Sequence, residues 1–131
     1  MNVPEVPFVL HLPNVMHLAT DVNGVVHDVA TSLELAESLH PSAAVGGTPT
    51  ASAVALIAEI EGLARDRYAG PVGWMDAKGD GEWGIALRSA LVQGNTVRLF
   101  AGCGIVGSSD PEAELAESQA KFVPVRDALS S

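Results

Sequence analysis

Apolar residues along this chain follow two rhythms, one of period two and one of helical period, and the switches fall at glycine, proline and asparagine. Residues 15–22 and 25–29 are β-branched runs separated by Asn23-Gly24, a dipeptide suited to a two-residue turn, so the pattern predicts a hairpin there. Residues 1–13 carry three prolines and no clean period, which predicts a linker or a truncated lead-in to a domain occupying 14–131. Thr31 or Ser32 is placed to cap a short helix with Leu33, Leu35 and Leu39 apolar. His40-Pro41 should end it, because proline disfavours a helical residue before it. A loop over 41–48 follows. Thr48-Pro49 then reads as an N-cap with proline at the first helical position, and the helix over 50–64 shows Leu56, Ile60 and Leu63 on a face expected to pack on a sheet.

Period two returns after a turn at Tyr68-Ala69-Gly70. A strand over 71–76 is linked by Lys78-Gly79-Asp80-Gly81 to a strand over 82–92, and Gly94-Asn95 turns the chain into 96–103. Asp110-Pro111 opens a last helix reaching about Leu129, with Leu115, Phe122, Val125 and Leu129 apolar and Pro124 a candidate kink. The order ββααβββα predicts an α+β fold, an antiparallel sheet with helices packed on one face.

Charge narrows the partners. With 16 acidic against 7 basic residues and a formal charge of -9, the chain repels a phosphate backbone and an anionic membrane surface. No nucleic acid or membrane partner is expected. One cysteine, Cys103, cannot form an internal disulfide, no basic leader precedes an apolar run, and apolar stretches are interrupted short of the ~20 residues that span a bilayer. The expected setting is cytoplasmic. A hydrophobic fraction of 47% is enough for a packed core.

Several positions carry candidate chemistry. Glu114, Glu117 and Lys121 stand at i, i+3 and i+7 of the last helix, so both carboxylates and the ammonium share one stripe. Such oxygens suit magnesium, and the same pattern also describes a solvated helix face whose acids complement the macrodipole. Ala101-Gly102-Cys103-Gly104 lies between a strand and a helix, where small residues let backbone N–H groups approach an anion, or simply form a tight connection. Cys103 reads as a small filler rather than a nucleophile. Arg88 interrupts an apolar strand: facing inward it needs an anion, facing outward it is ordinary. Tyr68, Trp74 and Trp83 have packing as their default role, and His17 reads as a hydrogen-bonded core histidine.

Taken in order, these segments resemble the C-terminal region of the chorismate-utilising enzymes, isochorismate synthases above all. Val15-Met16-His17-Leu18-Ala19-Thr20 resembles their "VxHL" strand, and Leu39-His40-Pro41-Ser42-Ala43-Ala44-Val45-Gly46-Gly47-Thr48-Pro49 resembles their "LHPTPAVGGTP" loop. Arg67-Tyr68-Ala69-Gly70-Pro71-Val72-Gly73-Trp74, Gly79-Asp80-Gly81-Glu82-Trp83, Arg98-Leu99-Phe100-Ala101-Gly102-Cys103-Gly104-Ile105-Val106 and Pro111-Glu112-Ala113-Glu114 follow in the family's sequence. Cys103 replaces the alanine of the family's "GAGIV" pattern.

The resemblance implies a magnesium-dependent conversion of chorismate to isochorismate. By motif position it implies that Glu117 ligates magnesium and Glu114 does so through water, that Lys121 lies beside the ring carboxylate, and that Tyr68 and Arg88 hold the enolpyruvyl carboxylate. Gly102 would offer its N–H to the substrate and His17 would line the pocket. Ala44 stands where pyruvate-eliminating relatives, the salicylate and anthranilate synthases, usually place threonine, which favours the isomerase over the lyase. Family enzymes are longer and keep their lysine base, glutamate acid and a further magnesium-binding glutamate upstream. Lys78 and Lys121 match neither the base nor its place. The expectation is a chain that supplies substrate and metal contacts but no base or acid, completed by an N-terminal segment or a partner chain. The alternative is a non-catalytic remnant, or one half of a split enzyme.

Overall fold

The computed structural model of the protein describes residues 2–11, 16–27 and 29–130, and these form two compact units, Met1–Ala30 and Thr31–Ser131. In the first unit β1 (Phe8–His11) pairs antiparallel with β2 (Met16–Ala19), with Phe8 opposite Ala19 and His11 opposite Met16. The backbones of Asn2 and Asn23 exchange hydrogen bonds of 2.6 and 3.1 Å. Among the described residues no hairpin forms about Asn23-Gly24, and the stretch expected to be a linker carries a strand. Pro4, Pro7 and Pro13 hide the reason: Phe8-Val9-Leu10 is an apolar, β-prone run that they flank rather than interrupt, and Asn23 pairs with Asn2 instead of turning the chain. Val15 and Asp28, both within the expected strands, lie outside the described residues. His17 pairs with Leu10 on an exposed strand, so it is not the core histidine expected.

In the second unit α1 (Ser32–Leu39) begins with a capping box. The Thr31 hydroxyl accepts from the Glu34 N–H at 3.3 Å, and the Glu34 carboxylate accepts from the Thr31 N–H at 2.7 Å, satisfying two otherwise orphaned donors. The Thr31 N–H and, second, the Thr31 hydroxyl, which donates to Glu34 Oε2 at 2.9 Å, hold the Glu34 carboxyl below its usual range. The Ser32 N–H bonds the Gly79 carbonyl at 2.8 Å and the Trp83 indole donates to the Ser32 hydroxyl at 3.2 Å, which docks α1 on the following hairpin. A single helical turn, α2 (Ala43–Gly46), occupies the expected loop, bracketed by cis peptides before Pro41 and Pro49.

Helix α3 (Thr50–Glu61) starts after Pro49 rather than after a Thr48 cap, and Gly62, left-handed at φ 59°, stops it short of Ala64. Among the described residues its main neighbour is α2 rather than a sheet; Leu56, Ile60 and Leu63 are 54%, 71% and 52% exposed, contrary to the expected packing. By composition the run 43–61 is apolar and long enough to cross a membrane. Gly47 and Pro49 break it, and the 12 residues of α3 reach only about 18 Å of a ~30 Å hydrocarbon core.

Strands β3 (Pro71–Met75) and β4 (Gly81–Ile85) form one antiparallel hairpin, β5 (Ser89–Gln93) and β6 (Thr96–Phe100) another. The expected strand over 82–92 is thus split. Ala86 leaves the ladder to accept from the Ala69 N–H at 3.0 Å and donate to the Gly70 carbonyl at 2.9 Å, while Leu87 N–H turns back on Ile85 at 2.8 Å. Arg88 follows in a left-handed conformation at φ 48°, outside any strand. Helix α4 (Pro111–Leu129) packs on β6; the Asp110 side chain caps it by accepting from the Ala113 N–H at 2.9 Å, and Pro124 lies inside it. Helices and antiparallel sheets make the fold α+β, but the strands form separate two-stranded sheets rather than one.

What the fold lacks is a deep core. Among the described residues only Ala69 is a buried hydrophobic, and the accessible surface is 10365 Å². A compact monomer of this mass exposes about 6500 Å². Trp74, Val72, Leu56 and Ile60 are among the large apolar side chains left facing solvent, enough to drive association. We expect the purified chain alone to self-associate and to bind an apolar dye such as ANS; light scattering showing a monodisperse monomer that leaves the dye dark would contradict this.

Candidate functional site

The site grows from the turn at 65–70. Tyr68 N–H bonds the Arg65 carbonyl at 2.8 Å and Gly70 N–H bonds the Arg67 carbonyl at 3.2 Å, winding the chain tightly around Tyr68. Asp66 and Ala69 on either side take positive φ of 49° and 64°. Left-handed non-glycine residues cost on the order of 1 kcal/mol or more each and persist where the surroundings impose them. Here the imposition is the pairing of Ala69 and Gly70 with Ala86, which also brings the turn beside the segment that carries Arg88.

The Tyr68 ring stacks on Phe100 of β6, centroids 5.3 Å apart and planes 18° off parallel. The Arg65 guanidinium lies 5.6 Å from the same ring's centroid. The Tyr68 hydroxyl abuts Gly102 so closely that a β-carbon there would approach it to 3.0 Å and crowd it.

Helix α4 holds the other side of Gly102. Lys121 Nζ donates to the Gly102 carbonyl at 2.8 Å and pairs with Glu117 Oε1 at 2.6 Å. Two turns before Lys121 the Cys103 thiol donates to the Glu114 backbone carbonyl at 3.3 Å. Hydrogen bonding to the Glu114 carboxylate, with burial second, pushes the thiol's pKa up, which keeps Cys103 protonated at neutral pH and disfavours it as a nucleophile. Hydrogen bonding from Ser109, then from Cys103, holds the Glu114 carboxyl below its usual range and keeps it ionised at neutral pH. Among the described residues no protein group takes the Gly102 N–H.

A cavity of about 400 Å³ opens between these elements, with Ala44, Tyr68, Gly102 and Lys121 in its walls together with Arg65 and Leu87. Four of the residues singled out in the sequence are thus brought together. Arg88, next to the wall residue Leu87, is exposed and has no ion pair among the described residues. Glu114 and Glu117 stand on α4 outside the cavity lining, connected to it through Cys103 and Lys121. His17 lies in the other unit, on exposed β2. No group of three or more His, Cys, Asp or Glu gathers among the described residues. Glu114 and Glu117 still offer what magnesium asks of a protein, since it takes one or two carboxylates and fills its octahedron with water and substrate oxygens.

Sequence reasoning did not reach Arg65, Glu61 or Phe100. The signal for the first two was the Glu-to-Arg spacing of four, which ordinarily marks a surface pair.

The chain is similar to known proteins over almost its whole length. Residues 1–130 match the family described as chorismate binding enzyme. The chain is 44% identical over 126 residues to the isochorismate synthase MenF of Bacillus subtilis, covering 96% of this chain and 27% of that protein. It is 41% identical over 131 residues to the salicylate biosynthesis isochorismate synthase of Pseudomonas aeruginosa, covering 100% of this chain and 28% of the relative. A crystal structure assigned to the 2,3-dihydroxybenzoate-specific isochorismate synthase DhbC of Bacillus anthracis superimposes with a TM-score of 0.91 at 48% identity, over 98% of this chain and 35% of that one. The chain therefore spans about a third or less of the proteins it matches, and it belongs to the chorismate-binding enzyme family.

Proposed function

We propose that this chain supplies the substrate- and metal-binding side of an isochorismate synthase, converting chorismate to isochorismate together with residues outside it. The observation that carries the reading is the cavity that gathers Ala44, Tyr68, Gly102 and Lys121 beside the Arg88 segment in a family member. Chorismate carries two carboxylates. Lys121 and the Gly102 N–H offer a cation and a free donor for the ring carboxylate, and the Tyr68 hydroxyl with the unpaired Arg88 offers the same for the enolpyruvyl carboxylate. Magnesium held by Glu117, with Glu114 ionised beside it, would neutralise carboxylate charge. The isomerisation adds water at one ring carbon and expels hydroxide from another, which needs a general base and a general acid. Neither is assigned in this chain. A second reading, a non-catalytic remnant or half of a split enzyme, draws on the exposed apolar surface and on the share of the relatives that the chain spans.

In an enzyme completed with the upstream two-thirds of a relative, Glu117→Gln should remove magnesium-dependent turnover while circular dichroism stays unchanged; full activity at ordinary magnesium would exclude Glu117 as the ligand. Ala44→Thr in the same enzyme should raise pyruvate release, read by coupling to lactate dehydrogenase, and parental pyruvate levels would show that Ala44 does not select the product. The chain alone should form no isochorismate from chorismate and magnesium, since a missing base and acid each cost about 10² to 10⁴ in rate. Chromatographic detection of magnesium-dependent isochorismate from the isolated chain would refute this.

A further inference from the structure

Arg65 sits where three walls of the cavity meet. Its Nε donates to Glu61 Oε2 at 2.7 Å and its Nη2 to Glu61 Oε1, a fork-on-fork pair anchored at the last residue of α3. Its Nη1 donates to the Val45 carbonyl at 3.3 Å, in α2 and one residue from Ala44. Its Cζ lies 5.6 Å from the Tyr68 ring centroid, while Phe100 stacks on that ring. Hydrogen bonding to Glu61, the largest influence, raises the already high pKa of the guanidinium, so the charge is permanent. One side chain thus ties the end of α3, the α2 turn and the Tyr68 ring to one another.

We propose that Arg65 is a positioning residue, which orients the Tyr68 hydroxyl toward the bound carboxylate and fixes the α2 turn that carries Ala44. The inference rests on the chorismate-binding reading of the cavity. Lysine cannot replace it, because an ammonium on a flexible stem cannot hold a planar carboxylate by two parallel bonds and still meet a carbonyl and a ring. Arg65 itself need not touch substrate: its charge is matched by Glu61, and its effect passes through Tyr68.

The chain contains a single tyrosine, which makes the test direct. Nitration of Tyr68 in the 131-residue chain, followed by peptide mass spectrometry, should run at least fivefold faster in Arg65→Lys and Arg65→Met than in the parent. Hydrogen exchange over β3 and β4 should stay the same and so exclude general unfolding. Glu61→Gln, which keeps Arg65 but loosens its grip, should shift nitration in the same direction by a smaller factor, and it serves if the Arg65 variants fail to fold. In the completed enzyme Arg65→Lys should raise KM for chorismate about tenfold with kcat within about twofold, and should add little in a Tyr68→Phe background, since the effect runs through the hydroxyl. Unchanged nitration in all three variants, or an equal KM penalty with and without the Tyr68 hydroxyl, would overturn the proposal. If the completed parent ignores chorismate, the functional reading fails, and the nitration arm still decides the role of Arg65.

Discussion

The candidate site depends on one short backbone pairing, in which Ala86 bonds both Ala69 and Gly70. Those two hydrogen bonds end β4, force Leu87 and Arg88 out of the strand, and hold the buried Ala69 in a left-handed conformation. Each backbone bond contributes only about 1 kcal/mol net. Their importance is positional: without them the turn around Tyr68 and the segment of Arg88 would have no fixed relation. Strain at Asp66, Ala69 and Arg88 is the counterpart of that fixity, clustered around a cavity as strained residues at binding sites are.

How much of this was legible in the sequence follows from whether the determinant is local. Helices α1 and α4 were readable because their starts are written in neighbouring residues, Thr31 with Glu34 and Asp110 with Pro111. The end of α3 turned on Gly62, whose left-handed conformation is a local signal that the apolar pattern through Leu63 concealed. The break in 82–92 was not readable, because it is imposed by residues some seventeen positions earlier. The pairing of β1 with β2 failed to show for the same reason: a register between strands is a choice among partners, and Asn23-Gly24 offered a plausible wrong one.

For the site, the resemblance named residues that spacing alone could not have gathered. Ala44, Tyr68, Gly102 and Lys121 are spread over two helices and two connections, and only the fold shows them in one set of walls. The stripe of Glu114, Glu117 and Lys121 was visible from helical geometry, but its partition was not. Lys121 turns to the Gly102 carbonyl and pairs with Glu117, whereas Glu114 is tied through its backbone to Cys103. Arg65 stayed invisible because its partners lie four, twenty and three residues away on three different elements.

Those two tethers from α4 to the glycine-rich connection have a mechanical consequence. Cys103 is fastened near the start of the helix and Gly102 two turns later, so the connection is held at two points along one rigid rod. A rotation or slide of α4 therefore carries the connection with it. The carboxylates of Glu114 and Glu117 and the amide of Gly102 keep their spacing through such a movement, as though mounted on a single jig, while their distance to Tyr68 and Arg88 changes.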